Sequence, residues 1–234
     1  PSVPRSIAAP LPSHEVNATG TLRLLIHAAN APEPPRVVLA SSSSVYGANP
    51  ALPKREDMVC QPMSPYAVSK LATEQYAMAW QRSYGLDTLA FRFFNVFGPY
   101  QAPGHAYAAA IPAFLDAAMS HTPVNVHGDG TQSRDFTYVG TVAQALRHAV
   151  EQRITHDTPV NLAFGTRVTL LELLDEIESQ LGHPVQRNHG PARVGDVPHS
   201  QADNTLLRSL FSDVDPVDLR TGLQHTIDWF RSRG

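Results

Sequence analysis

Tyr66 and Lys70 stand four residues apart in Ser64-Pro65-Tyr66-Ala67-Val68-Ser69-Lys70, downstream of the run Ser41-Ser42-Ser43-Ser44-Val45-Tyr46-Gly47. On a helix, that spacing puts a phenol and an ammonium on one face, one turn apart. A free phenol titrates near pH ~10 and is a poor base at neutral pH. A nearby cation favours the phenolate and is expected to lower that value. A serine hydroxyl held beside the phenol can relay a proton or bond a substrate oxygen. Together the three groups could take a proton from a sugar or alcohol hydroxyl while a hydride leaves the same carbon. The alternative for Lys70 is an ion pair with Glu74, one turn further along the same helix.

The elements that must position these groups are legible in outline. Ser64 is a good N-cap and Pro65 suits the first helical position, so a helix is expected from Ser64 to about Tyr84, ended by Gly85. Val37-Val38-Leu39 is an apolar run of the kind a buried parallel strand shows, and Asp87 to Phe93 is the next strand. Helices are expected at Val16–Asn30, Ala108–Met119, Val139–Gln152, Thr169–Leu181, Asn204–Ser209 and Leu219–Arg231. Short strands are expected at Val124–Val126 and Ser133–Thr137, around the turn Gly128-Asp129-Gly130. Alternating helices and strands argue for a parallel sheet with helices on its faces.

Composition excludes several classes. The chain has 234 residues and is 42% hydrophobic, enough for a sizeable core. No apolar run approaches the ~20 residues of a membrane span, so no membrane association is expected. The formal charge of −3 gives no reason to expect nucleic acid as a partner. The single cysteine, Cys60, forms no internal disulfide, which fits a reducing, cytoplasmic setting. The 11 histidines lack metal-ligand spacing, so no metal site is expected.

Five segments carry a resemblance. They are Ser-Ser-Ser-Val-Tyr-Gly (42–47), Ser-Pro-Tyr-Ala-Val-Ser-Lys (64–70), Arg-Phe-Phe-Asn-Val-Phe-Gly-Pro (92–99), Gly-Asp-Gly-Thr-Gln-Ser-Arg-Asp-Phe (128–136) and Arg-Val-Gly-Asp-Val-Pro-His-Ser-Gln-Ala-Asp (193–203). In this order they resemble the extended short-chain dehydrogenase/reductase family, and within it the NAD-dependent sugar-nucleotide 4-epimerases acting on UDP-glucose or UDP-N-acetylglucosamine. The resemblance implies NAD as cofactor, a UDP-sugar as substrate and a transient 4-keto sugar. It implies Tyr66 as base and later acid, Lys70 as the group that bonds the nicotinamide ribose, and Ser42 as the bridge between the sugar O4 and Tyr66. Phe93 and Val96 would lie on the nicotinamide side. Ser2, Ser43, Asn95 and Ser200 would face the sugar or diphosphate. Ala109, Ala110, Asn125 and His127 would sit near the uridine. Arg134 and Arg193 suit a pyrophosphate, because a guanidinium forks onto phosphate oxygens; the alternative is ion pairing with Asp135 and Asp196. Asp196 would otherwise accept from a ribose hydroxyl. The helices beginning near Val16 and Ser64 resemble the pair that forms the family's homodimer interface.

Departures from the family pattern sharpen the expectation. The Asp-Glu pair that serves the family's 4,6-dehydratases is replaced by Ser43 and Ser44. Ser200 stands where a bulky tyrosine closes the sugar pocket in some members, which suggests room for a 2-acetamido group. No Gly-x-Gly-x-x-Gly or Gly-x-x-Gly-x-x-Gly occurs in the sequence, and Pro1 to Ser6 resembles the loop after the family's fourth strand. The expected fold is therefore α/β: an incomplete Rossmann-like parallel sheet, lacking its glycine-rich N-terminal half of roughly 80 residues, with a small interleaved α+β substrate lobe. Residues 1–100 are assigned to the Rossmann domain, 101–134 to the lobe, 135–183 mainly to a return to the Rossmann side, and 184–234 to the lobe again. On this reading the chain is an N-terminally truncated epimerase, inactive alone. The alternatives are a UDP-hexuronate epimerase or decarboxylase, and a non-catalytic binding module without NAD.

Overall fold

The computed structural model describes residues 2–103, 109–192 and 197–233. The chain opens with α1 (Val3–Ala8), α2 (Pro10–His14), a π-helical stretch (Glu15–Thr19) and α3 (Gly20–Ala29). Then come β1 (Val37–Ser42), a 3₁₀ turn (Ser43–Tyr46), α4 (Pro65–Tyr84), β2 (Thr88–Phe93) and β3 (Asn95–Phe97). The middle of the chain forms α5 (Ala110–Met119), β4 (Val124–His127), β5 (Ser133–Arg134), β6 (Phe136–Tyr138) and α6 (Val139–Glu151). The last part forms β7 (Val160–Leu162), β8 (Val168–Thr169), α7 (Leu170–Leu181), β9 (Arg187–Gly190), α8 (Thr205–Leu210) and α9 (Leu219–Arg231).

The main sheet is parallel, in the order β1-β2-β7, with Val37 opposite Thr88 and Phe91 opposite Val160. Helices cover both faces, as a buried parallel sheet requires. On one face Val37 packs with Leu25 and Ala28 of α3. On the other, Leu89, Phe91, Val160 and Leu162 pack with Val142 and Ala145 of α6 and with Leu207 of α8. This is an α/β, Rossmann-like arrangement. A separate core joins α5, β4, α7 and α9 through Phe114, Leu115, Val126, Leu174 and Ile227. Helix α7 thus packs in this second core although it falls within 135–183, and α8 packs on the main sheet although it falls within 184–234.

Helix α4 forms as its sequence dictates. The Ser64 hydroxyl accepts the Ala67 N–H at 3.1 Å, Pro65 opens the helix, and Gly85 ends it in the left-handed region at φ 66°. The N-terminal stretch differs from the expected loop. Ser2 caps α1 by accepting the Arg5 N–H at 3.3 Å, and Pro4 sits in the first turn, where its missing donor costs nothing. The expected strand Ser133–Thr137 is interrupted at Asp135. Its fully buried carboxylate turns out of the ladder and accepts from Gly165 N at 3.1 Å, Thr166 Oγ1 at 2.9 Å and Ala202 N at 2.9 Å. Among the described residues, no helix is long and apolar enough to cross a membrane.

Candidate active site

The Tyr66–Lys70 face of α4 lies against the carboxyl end of β1, the end of a parallel sheet where ligands bind. Ser6 fixes the start of α4: its Oγ accepts the Tyr66 N–H at 3.0 Å, satisfying an amide that no helical partner can reach. Ser42 ends β1 and caps the 3₁₀ turn, accepting the Ser44 N–H at 3.2 Å. Burial raises the Tyr66 phenol above its ordinary value, and the nearby Ser42 hydroxyl opposes this. The lowering expected from a neighbouring cation is not found. The Lys70 ammonium donates to the Ala40 carbonyl at 2.8 Å, and burial lowers its own pKa.

Glu74 is occupied by other partners. Arg92 grips it with two bonds, Nη2 to Oε1 at 2.6 Å and Nε to Oε2 at 3.0 Å, and Ser41 Oγ donates to Oε2 at 2.7 Å. Arg92 also donates to the Tyr46 hydroxyl at 2.9 Å, which in turn donates to Asn161 Oδ1 at 2.7 Å. This buried network ties α4 to β1, β2 and β7. Ser41 precedes Ser42, so the network also holds Ser42 in register with Tyr66.

Two adjoining cavities open beside the trio. Ser43, Ser44, Ala67, Lys54, His199 and Ser200 help to wall the first. Ala109, Ala110, Asn125, His127 and Gln132 help to wall the second. Asn95 and Arg134 wall both, so the cavities form one cleft. They hold about 230 and 200 Å³, which together reach the size of a small-ligand site. Asp135 does not face this cleft: burial pushes its carboxyl up to about 6, and its oxygens are taken by Gly165, Thr166 and Ala202. Arg134 Nη1 donates to the carbonyls of Ser133 at 2.9 Å and Pro198 at 3.3 Å.

A model of the NAD dependent epimerase/dehydratase family matches residues 1–163. The chain belongs to that family. A UDP-glucose 4-epimerase of Mycolicibacterium smegmatis is 34% identical over 99% of this chain and 74% of its own length. A probable UDP-glucuronate 4-epimerase of Rhizobium meliloti is 31% identical over 92% of this chain and 67% of its own. Among solved structures, the UDP-N-acetylglucosamine 4-epimerase of Methanobrevibacter ruminantium M1, in complex with UDP-N-acetylmuramic acid, is 36% identical. It superposes with a TM-score of 0.93 over 100% of this chain and 74% of that chain. Family members of known activity among these relatives act on UDP-sugars.

The cleft brings together most of the residues the sequence singles out. Ser43, Asn95, Ala109, Ala110, Asn125, His127, Arg134 and Ser200 all wall the cleft. Ser42, Tyr66 and Lys70 are not among the residues that wall it; Ser43 and Ala67, next to Ser42 and Tyr66, are. Ser2 does not wall it; its hydroxyl caps α1, and Val3 and Pro4 reach the first cavity instead. Phe93 and Val96 are half-buried and pack on the sheet-face core. Arg193 and Asp196 lie outside the described residues. Sequence reasoning missed Lys54, His199 and Gln132. Lys54 sits in a Pro-rich loop with no motif of its own. His199 and Gln132 lie within matched segments, one residue before Ser200 and two before Arg134, and that proximity was the available signal. Among the described residues, no group of three or more His, Cys, Asp or Glu is placed to hold a metal ion.

Proposed function

We propose that this chain carries the catalytic and sugar-binding groups of an NAD-dependent UDP-sugar 4-epimerase. The observation that carries the reading is Tyr66 and Lys70 on one face of α4, against the Ser42 end of β1, beside a cleft walled by Ser43, Asn95, Asn125 and His127. These residues fit the nicotinamide end of NAD: a phenol and an ammonium share one helix face at the carboxyl end of a parallel strand. Tyr66, Lys70, Phe93 and Val96 would hold that end. Bound NAD supplies a hydride acceptor and returns the hydride. Tyr66 takes the O4 proton as the sugar carbon becomes a ketone, and gives it back once the sugar has turned its other face. Ser42 bonds O4 and favours the phenolate. Lys70 holds the ribose and keeps a positive charge within reach of the developing phenolate. Arg134 and Arg193 grip the diphosphate. The cleft favours this chemistry over water elimination, because Ser43 and Ser44 offer no carboxylate to act as acid or base.

The substrate proposed is a UDP-N-acetylhexosamine or UDP-hexose, Ser200 leaving room at C2. A homodimer is proposed through α3 and α4; exposed Val16, Leu24, Ile26 and Val68 support it. A solution mass of one chain would count against the dimer. The activity is tested by incubating the protein with NAD and UDP-glucose or UDP-N-acetylglucosamine, and following the 4-epimers by chromatography. Interconversion of either pair supports the reading. Binding of the UDP-sugars with no epimer formed, by a protein that also carries the family's glycine-rich NAD segment, would sink it.

A further inference from the structure

Lys54 is a buried ammonium in the wall of the first cavity. The residue is 7% exposed. Its backbone is pinned on both sides, with Lys54 N donating to Gln201 O at 2.8 Å and Asp203 N donating to Lys54 O at 2.8 Å. These bonds place it next to Ser200, which walls the same cavity. Its Nζ donates to the Asn49 carbonyl. An ammonium has three donors and no acceptor, so one neutral carbonyl leaves two donors unused. Among the described residues, no carboxylate lies within ion-pairing distance of it, and none is found in the wall of this cavity. A buried charge without a counter-ion is expensive, and burial accordingly lowers the Lys54 pKa. Arg92, by contrast, is paired with Glu74. Lys54 stands in the wall of the cavity that would take the sugar.

We infer that Lys54 is a specificity-determining residue whose counter-ion is a carboxylate on the hexose of the nucleotide sugar. The inference rests on the epimerase reading and changes its substrate: the acidic UDP-sugars are favoured over the UDP-hexose and UDP-N-acetylhexosamine named above. The diphosphate is the other anion such a ligand carries. It is the same in neutral and acidic UDP-sugars, so comparing the two separates these sources.

The test compares UDP-glucose, UDP-N-acetylglucosamine and UDP-glucuronate with wild type, Lys54→Met and Lys54→Arg. Methionine keeps the length without charge, and arginine keeps the charge. A charge-assisted hydrogen bond in a dry site corresponds to roughly 10–100-fold. In Lys54→Met, the ratio of kcat/KM for UDP-glucuronate to that for UDP-glucose should fall on that order, mainly through KM. Lys54→Arg should restore much of the ratio. Equal losses for all three sugars would overturn the inference, since they would mark Lys54 as a diphosphate contact or a clamp on its loop. A larger loss for UDP-N-acetylglucosamine than for UDP-glucuronate would also overturn it, in favour of an acetamide contact. Should no sugar turn over, the epimerase reading fails, and calorimetric binding still decides: wild type should bind UDP-glucuronate more tightly than UDP-glucose, and Lys54→Met should abolish the difference. No difference in wild type would refute the inference. Should Lys54→Met not fold, the wild-type comparison decides alone.

Discussion

Arg92→Met should destabilise the protein more than any loss of packing volume would suggest. Arg92 and Glu74 are 3% and 0% exposed, and the guanidinium meets the carboxylate with two bonds, at 2.6 and 3.0 Å. Removing the guanidinium leaves Glu74 with one remaining donor, Ser41 Oγ at 2.7 Å, and no positive partner in contact. It also strips a donor from the Tyr46 hydroxyl and the cation from its ring face, 4.8 Å from the centroid. Leaving one buried ion uncompensated costs about 3–5 kcal/mol. With a urea m-value of about 3 kcal/mol per molar for a chain of this size, the unfolding midpoint should fall by about 1–1.7 M. The double variant Glu74→Leu/Arg92→Met removes both charges and should recover much of the loss, because apolar residues can replace a buried pair at little cost. Urea unfolding followed by circular dichroism reads all three proteins. An unchanged midpoint in Arg92→Met, or a double variant weaker than the single one, would refute the reasoning.

Other outcomes follow from the same geometry. Tyr66→Phe removes the acid–base group while keeping the ring, so kcat should fall ~10²–10⁴-fold; turnover near wild type would reject Tyr66 as the base. Ser200→Tyr should lower kcat/KM for UDP-N-acetylglucosamine more than for UDP-glucose by filling the space at C2, and equal losses would show that Ser200 does not face that substituent. Asp135 sets a pH dependence: its carboxyl stands at about 6 in the fold against an ordinary 3.8, so the native state holds this proton more tightly. Its contribution is therefore most favourable below the unfolded value and is lost as pH rises through about 6, by about 3 kcal/mol at most. The difference in unfolding free energy between wild type and Asp135→Asn should change across that window and level off above it; parallel pH curves would contradict this.

The parts of the fold legible in the sequence are those whose signals are local. Helix α4 is announced by Ser64, Pro65 and Gly85, and α9 by its apolar spacing. The N-terminal helices were not legible, because Pro4, Pro10 and Pro12 read as loop residues although proline is at home in a first turn. Strands β3, β7, β8 and β9 have two to four residues, too few to display a period of two. The site divides in the same way. Tyr66, Lys70 and the serine run carry their own spacing. Glu74 looked like the natural partner of Lys70 by its position one turn on, yet Arg92 arrives from the neighbouring strand and takes it. Lys54 acquires its place only through backbone bonds to Gln201 and Asp203, nearly 150 positions away, a relation no local window contains.

The cleft is divided unequally among its walls, and this bears on how such a site can change. Asn95 and Arg134 border both cavities, so a substitution at either disturbs the sugar end and the base end together. Ser43, Ser44, Lys54, His199 and Ser200 border the first cavity without bordering the second. On the proposed reading, with the sugar in the first cavity, new sugar preferences can thus arise at these positions while the second cavity is left intact. A library meant to retune the sugar can start from these polar side chains, and the two shared residues are the ones to hold fixed.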